Sequence, residues 1–129
     1  MWKPRTVAWA HCDLPCGVYD PAQARIEAES ILAIDTKMRD NSDADFHTRA
    51  LIIKEQRAEL VKHHLWVLWT DYFKPDHFRR YPQLHDLFNQ ATKLAGGSDG
   101  VKSSTDPAAA QRLLDKIEEI AKIFWETKQ

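Results

Sequence analysis

Cysteine is nearly absent from this chain. There are two in 129 residues, Cys12 and Cys16. A single pair so close together builds no disulfide framework. A bridge between them would close too small a loop to constrain the unfolded chain. Thiols kept free as metal ligands suit a reducing cytosol. Glycine is scarce as well: four residues, three of them between Gly96 and Gly100. Long stretches are therefore free of its entropic cost to a helix. No run approaches the roughly 20 apolar residues that a transmembrane helix needs. Neither sign of charge is in excess, with 18 Lys and Arg against 19 Asp and Glu and a formal net charge of −1. Such a balance points to neither nucleic acid nor an acidic membrane surface. No Gly-rich phosphate loop, zinc Cys-x-x-Cys pair or Ser-His-Asp order is found.

What is present reads as helix. The length is that of one domain with one core. Asp20-Pro21 predicts a helix start, with aspartate as N-cap and proline in the first turn. That helix runs to about Arg39, with Ala24, Ala28, Ile31, Ala33, Ile34 and Met38 inward. A second, the longest, runs from Asp43 or Asp45 to about Phe73, where Lys74-Pro75 stops it. Leu51, Ala58, Val61, Leu65, Leu68 and Trp69 form its inward stripe. Ile52, Ile53, Leu60, Trp66 and Val67 widen the apolar surface beyond one face, which predicts burial against more than its own bundle. Five tryptophans in the chain also suit an interface.

Pro75 to Pro82 is expected to be an irregular connection with room for one helical turn. A third helix follows from Pro82 to about Ala95, carrying Leu84, Leu87, Phe88, Ala91 and Leu94 inward and ending on a left-handed cap at Gly96-Gly97. Gly96 to Thr105 reads as a flexible polar loop. Asp106-Pro107 repeats the start signal, and a fourth helix runs to about Glu126 with Ala110, Leu113, Leu114, Ile117, Ile120, Ala121 and Phe124 inward. The fold class is all-α: an antiparallel four-helix bundle with a metal-binding hook before it. Short connections make neighbours antiparallel.

The hook is His11-Cys12-Asp13-Leu14-Pro15-Cys16-Gly17-Val18-Tyr19. Two thiols and an imidazole within six residues suit late first-row metals, not magnesium or calcium. Three side chains leave a four- or five-coordinate ion short of donors, and backbone nitrogen is the nearest source. From these residues alone the hook could equally serve a dithiol switch, a zinc or copper site, or a nickel or copper carrier. His47, His63, His64, His77 and His85 have no cysteine or spaced partner and are expected at the surface or an interface.

This stretch resembles the nickel-binding hook of the nickel superoxide dismutases, His-Cys-x-x-Pro-Cys-Gly-x-Tyr, with every fixed position present. The likeness continues through Asp20 to Arg25, Ile53 to Leu60, Asp71 to Pro75 and Ile123 to Lys128. It implies an enzyme that converts superoxide to oxygen and hydrogen peroxide by Ni(II)/Ni(III) cycling, with one nickel per subunit. If the chain began at His11, its α-amine and the Cys12 amide nitrogen would join the two sulfurs in a square-planar set suited to Ni(II). The His11 imidazole would reach an axial position. With Ala10 attached, the first of those donors is only an amide. The resemblance therefore implies a leader at 1–10, a hook at 11–19, a bundle at 20–129, and a processing protease that cuts Ala10–His11.

By the same matching, Glu27 and Arg57 fall where the family orients the axial imidazole, and Tyr19, Asp13, Tyr72 and Lys74 fall near the entrance. Lys74 would also help steer the superoxide anion. The family's Leu14–Pro15 equivalent is cis. Its members are cytoplasmic homohexamers, with superoxide and their own copies as partners and neither nucleic acid nor membrane. Cys12→Ser and Cys16→Ser are each expected to abolish superoxide turnover in the presence of nickel. A carrier would show no turnover to lose and would release nickel readily.

Overall fold

The computed structural model describes residues 17–129, and its helices are α1 (Ala22–Arg39), α2 (Ala44–Val67), α3 (Pro75–Arg80), α4 (Leu84–Leu94) and α5 (Pro107–Thr127). A π turn, Leu68–Tyr72, extends α2, and there is no strand among the described residues. His11, Cys12, Asp13, Cys16 and the Leu14–Pro15 peptide lie outside the described residues.

The four long helices close into a ring. α1 packs on α2 and α5, and α4 packs on α5 and α2. Pairs of charges show the antiparallel register. Glu27 meets Arg57 and, further along α1, Asp35 meets Lys54, so α2 runs back along α1. Arg39 at the end of α1 meets Asp106 at the start of α5, 2.9 Å apart. Phe88, Phe124, Ile31, Leu65, Leu84, Leu113, Ile117 and Ile120 fill the middle, all nearly or fully buried. Each such side chain contributes about 1.5–3 kcal/mol of burial.

The caps follow from side chains that accept orphaned N–H groups. Asp43 accepts from Phe46 N–H at 2.9 Å, and Asp106 accepts from Ala108 N–H at 3.0 Å with Pro107 in the first turn. Asp20 accepts from Ala22 N–H at 2.8 Å, so α1 opens one residue later than its Asp-Pro signal predicts. The third expected helix, α4, opens later too, at Leu84. The connection from Pro75 forms the short helix α3.

Two expectations need correction. No left-handed glycine caps α4: Ala95 is right-handed, and the left-handed residue of the loop is Asp99, φ 56°. The loop itself folds back instead. Val101 N–H donates to Leu94 O at 2.8 Å and Lys102 N–H to Gly96 O at 3.0 Å. That return passes so close that a Cβ on Gly100 would stand 2.5 Å from two carbonyl oxygens. Val101 is fully buried, so the segment is tied down and not a loose polar loop.

The second correction concerns the inward stripe of α2. Leu51 is 47% exposed, while Lys54, a charge, is inside at 3%. Asp35 draws it there. Lys54 Nζ donates to Asp35 Oδ1 at 2.7 Å and to the carbonyl of Ser104, which joins α1, α2 and the loop before α5. Asp35 is wholly buried and its Oδ2 has no partner. Burial holds its carboxyl above the usual range, and the bond to Lys54 opposes that only in part. Ala33, also expected inward, is exposed.

Lys54→Met strands the Asp35 carboxylate and is expected to destabilise the fold by about 3–5 kcal/mol near neutral pH. The loss should shrink as pH falls through the carboxylate range, because a folded-state pKa above the unfolded value favours folding at low pH and costs stability as pH rises. Asp35→Leu with Lys54→Met should cost much less than Lys54→Met alone. Urea unfolding at several pH values checks all three.

Candidate functional site

The chain enters the bundle through Gly17, whose φ of +80° is a backbone region that side chains disfavour. Space there is open, so the glycine is required by conformation and not by crowding. Val18 is 78% exposed. Tyr19 turns inward, half-buried against the core, and its ring stands 5.7 Å from that of Tyr72.

Tyr72 owes its place to the π turn. Phe73 N–H donates to Leu68 O at 3.0 Å, a bond that spans five residues in place of four. In an uninterrupted α-helix Tyr72 would stack one turn above Leu68 and point into the core. The extra residue hands that place to Phe73, which is 3% exposed, and leaves Tyr72 half-buried at the rim. Around Tyr72 lie Phe124 at 4.3 Å, Phe73 at 5.0 Å and a stacked His77 at 5.9 Å, all between ring centroids. Its hydroxyl is 2.6 Å from Thr127 Oγ1.

Lys74 follows at once. It is extended, as the residue before Pro75 must be, and exposed. Its Nζ donates to Asp71 O at 3.1 Å, and its backbone N–H donates to His77 Nδ1 at 3.0 Å. Tyr19, Tyr72 and Lys74 thus gather at one end of the bundle, where the hook joins it.

Glu27 and Arg57 meet, with Arg57 Nη1 donating to Glu27 Oε2 at 2.9 Å. The carboxylate side chain is 14% exposed and the guanidinium side chain 43%. His64, seven residues after Arg57, shares that face of α2. Burial and neighbouring His63 push its pKa down, and Glu27 opposes them. His64 is therefore neutral at neutral pH and belongs to this environment, although its sequence position marks it only as surface or interface. His77 is likewise half-buried. His85 is exposed, accepts from Trp69 Nε1 at 3.0 Å and stacks on Phe78 at 4.0 Å. No periodicity or spacing signals Thr127 or His77 as neighbours of Tyr72. Among the described residues no group of three or more His, Cys, Asp or Glu side chains could hold a metal ion.

The family model of the nickel-containing superoxide dismutases matches residues 6–128. The chain belongs to that family. The nickel superoxide dismutase of Streptomyces seoulensis is 61% identical over 129 residues, covering all of this chain and 96% of its relative. The native structure of a nickel superoxide dismutase is 62% identical with a TM-score of 0.87, across 92% of this chain and 100% of that one. A further solved member has its first residue, a histidine, replaced by alanine; it is 60% identical with a TM-score of 0.83, across 87% of this chain and 100% of that one. The chain is therefore a nickel-dependent oxidoreductase that disproportionates superoxide. The carrier and thiol-switch alternatives give way to it.

Burial, with Lys74 and Arg80 nearby, also lowers the pKa of His77. The neutral ring accepts the Lys74 N–H, and a protonated Nδ1 cannot. A folded-state pKa below the unfolded value gives stability above the ordinary histidine range and loses it as pH falls through the folded value. Hydrogen exchange at the amides of Lys74 and His77, corrected for its intrinsic rate, is expected to rise between about pH 7 and about pH 5. His77→Phe keeps an aromatic ring beside Tyr72 and should abolish that rise.

Proposed function

We propose that His11, Cys12 and Cys16 hold the nickel and that the site is completed when the Ala10–His11 bond is cut. One observation carries the reading: Tyr19, three residues beyond Cys16, packs on Tyr72 beside Lys74. The hook therefore leads into a rim lined by the residues that would govern access. The donor chemistry fits the metal. Two thiols, an imidazole and backbone nitrogen suit a late first-row ion, and no rival cluster exists among the described residues. Bound nickel supplies one-electron Ni(II)/Ni(III) redox chemistry to superoxide disproportionation.

This chain's residues do the rest. Cleavage converts the His11 nitrogen from amide to amine, a much better donor. Cys12 would give its sulfur and its amide nitrogen, and Cys16 a second sulfur. Glu27, held by Arg57, would receive the spare ring N–H of His11 and so fix the imidazole's orientation. Tyr19 and Tyr72 would restrict entry, and the resemblance assigns Asp13 to the same entrance. Lys74 adds positive potential for an anion.

The processing step draws support from two relatives. The native structure is matched end to end by 92% of this chain, which leaves a stretch about as long as the ten-residue leader outside the match. The histidine at the first position of a solved member agrees with His11 as the mature start. The reading divides the chain into a leader at 1–10, a hook at 11–19 and a bundle from 20 to 129.

Assembly into a homohexamer, each subunit with one nickel, fits the surface. Ile52 is 57% exposed, Ile26 52%, Trp125 49% and Trp66 43%, apolar side chains that association would cover. No helix among the described residues is long and apolar enough to cross a membrane. The reading places the enzyme in the cytoplasm with superoxide, a processing protease and its own copies as partners, and with neither nucleic acid nor membrane.

Native mass spectrometry with nickel analysis tests processing, metal and subunit count together. The expected active species is a hexamer of chains starting at His11 with one nickel each. Full turnover by nickel-loaded chains that still carry Met1 would overturn the processing step.

A further inference from the structure

The geometry points to Thr127 as a positioning residue for Tyr72, with Lys128 beside it: the end of α5 sets which way the entrance tyrosine faces. The inference rests on the reading above that Tyr72 governs access.

Proton counting fixes the direction of the bond. Thr127 Oγ1 lies 2.6 Å from Phe124 O and 2.6 Å from Tyr72 Oη. A carbonyl oxygen only accepts, and a threonine hydroxyl has one proton. Thr127 gives that proton to Phe124 O, one turn back in α5. Its oxygen is then the acceptor, and Tyr72 must be the donor. The phenol proton is committed to the protein, and the oxygen offers lone pairs to anything arriving at the rim. A tyrosine bonded this way holds its hydroxyl toward α5 and its ring beside Tyr19, 5.7 Å away.

Lys128 adds a second restraint. Its Nζ lies 5.0 Å from the centroid of the Tyr72 ring and 5.4 Å from that of Phe124. A cation over an aromatic face is attracted by the ring quadrupole. The same ammonium adds positive potential beside Tyr72. The π turn delivers the ring to this place, but a rim tyrosine has room to turn. The last residues of α5, 55 positions away in sequence, close off that freedom.

The test compares Thr127→Val, which keeps the shape and loses the hydroxyl, with Thr127→Ser, which restores it. Full-length chains carry tyrosine labelled with 13C at Cζ, and single Tyr→Phe variants assign Tyr19, Tyr72 and Tyr81. Thr127→Val is expected to shift the Tyr72 signal and weaken the Tyr19–Tyr72 ring contacts, while Thr127→Ser matches the parent. In the nickel-loaded enzyme kcat/KM for superoxide should fall about three- to tenfold in Thr127→Val, the scale of one hydrogen bond, and recover in Thr127→Ser. Adding Thr127→Val to Tyr72→Phe should have no further effect. An unmoved Tyr72 signal in Thr127→Val overturns the positioning role, even if thermal stability drops. A moved signal together with unchanged turnover in Tyr72→Phe upholds the positioning and overturns the access reading beneath it.

Discussion

The bond from Phe73 N–H to Leu68 O decides how the functional end of the molecule is built. It adds one residue to a helical turn. That residue exchanges two neighbouring aromatics: Phe73 goes into the core and Tyr72 goes to the rim. Phe73 then packs on Phe88 and Phe78, and Tyr72 packs on Tyr19, His77 and Phe124. Widened turns of this kind cost hydrogen-bond geometry and are found disproportionately at functional sites. Here the gain is specific. An apolar ring fills the interior, and a hydroxylated ring is presented where the hook arrives.

Charge helps set the register of α1 against α2. Glu27–Arg57 and Asp35–Lys54 fasten α1 to α2 at two levels, and Arg39–Asp106 fastens α1 to the cap of α5. The inner pair is the more consequential. A buried ion pair adds little net stability over an apolar substitute, but it penalises any sliding that would separate the charges. Sliding α1 along α2 would also move Glu27 relative to Arg57. The support of the proposed metal centre and the structural pair are thus held in one register.

Much of the fold was legible in the chain. Asp-Pro starts, apolar positions at helical spacing and the Lys74-Pro75 stop located all four long helices to within a few residues. These signals are local, and local backbone chemistry produces them. The errors have a common source. Leu51 was expected inside and Lys54 was left out of the inward stripe, because hydropathy ignores a carboxylate waiting on another helix. Gly96-Gly97 was expected to cap α4, because a returning loop that brings its own N–H groups leaves no mark in composition. The hook, with Asp13 and Tyr19, came from a nine-residue pattern, and Tyr72 and Lys74 came from the matching stretch Asp71 to Pro75. The meeting of Tyr19 and Tyr72 at one end of the bundle follows from packing.

The sequence by itself determined which donors can be proposed, since only His11, Cys12 and Cys16 combine thiols with an imidazole within six residues. It also determined the helices, through periodicity and caps that act over a single turn. The tertiary structure alone decided which side chains from distant segments surround Tyr72. Thr127 and Lys128 reach it across the bundle, and the π turn turns it toward them. The physical reason is range. Helix signals act between residues three or four apart, whereas a hydrogen bond between residues 72 and 127 exists only after the core has closed and brought two helix ends together.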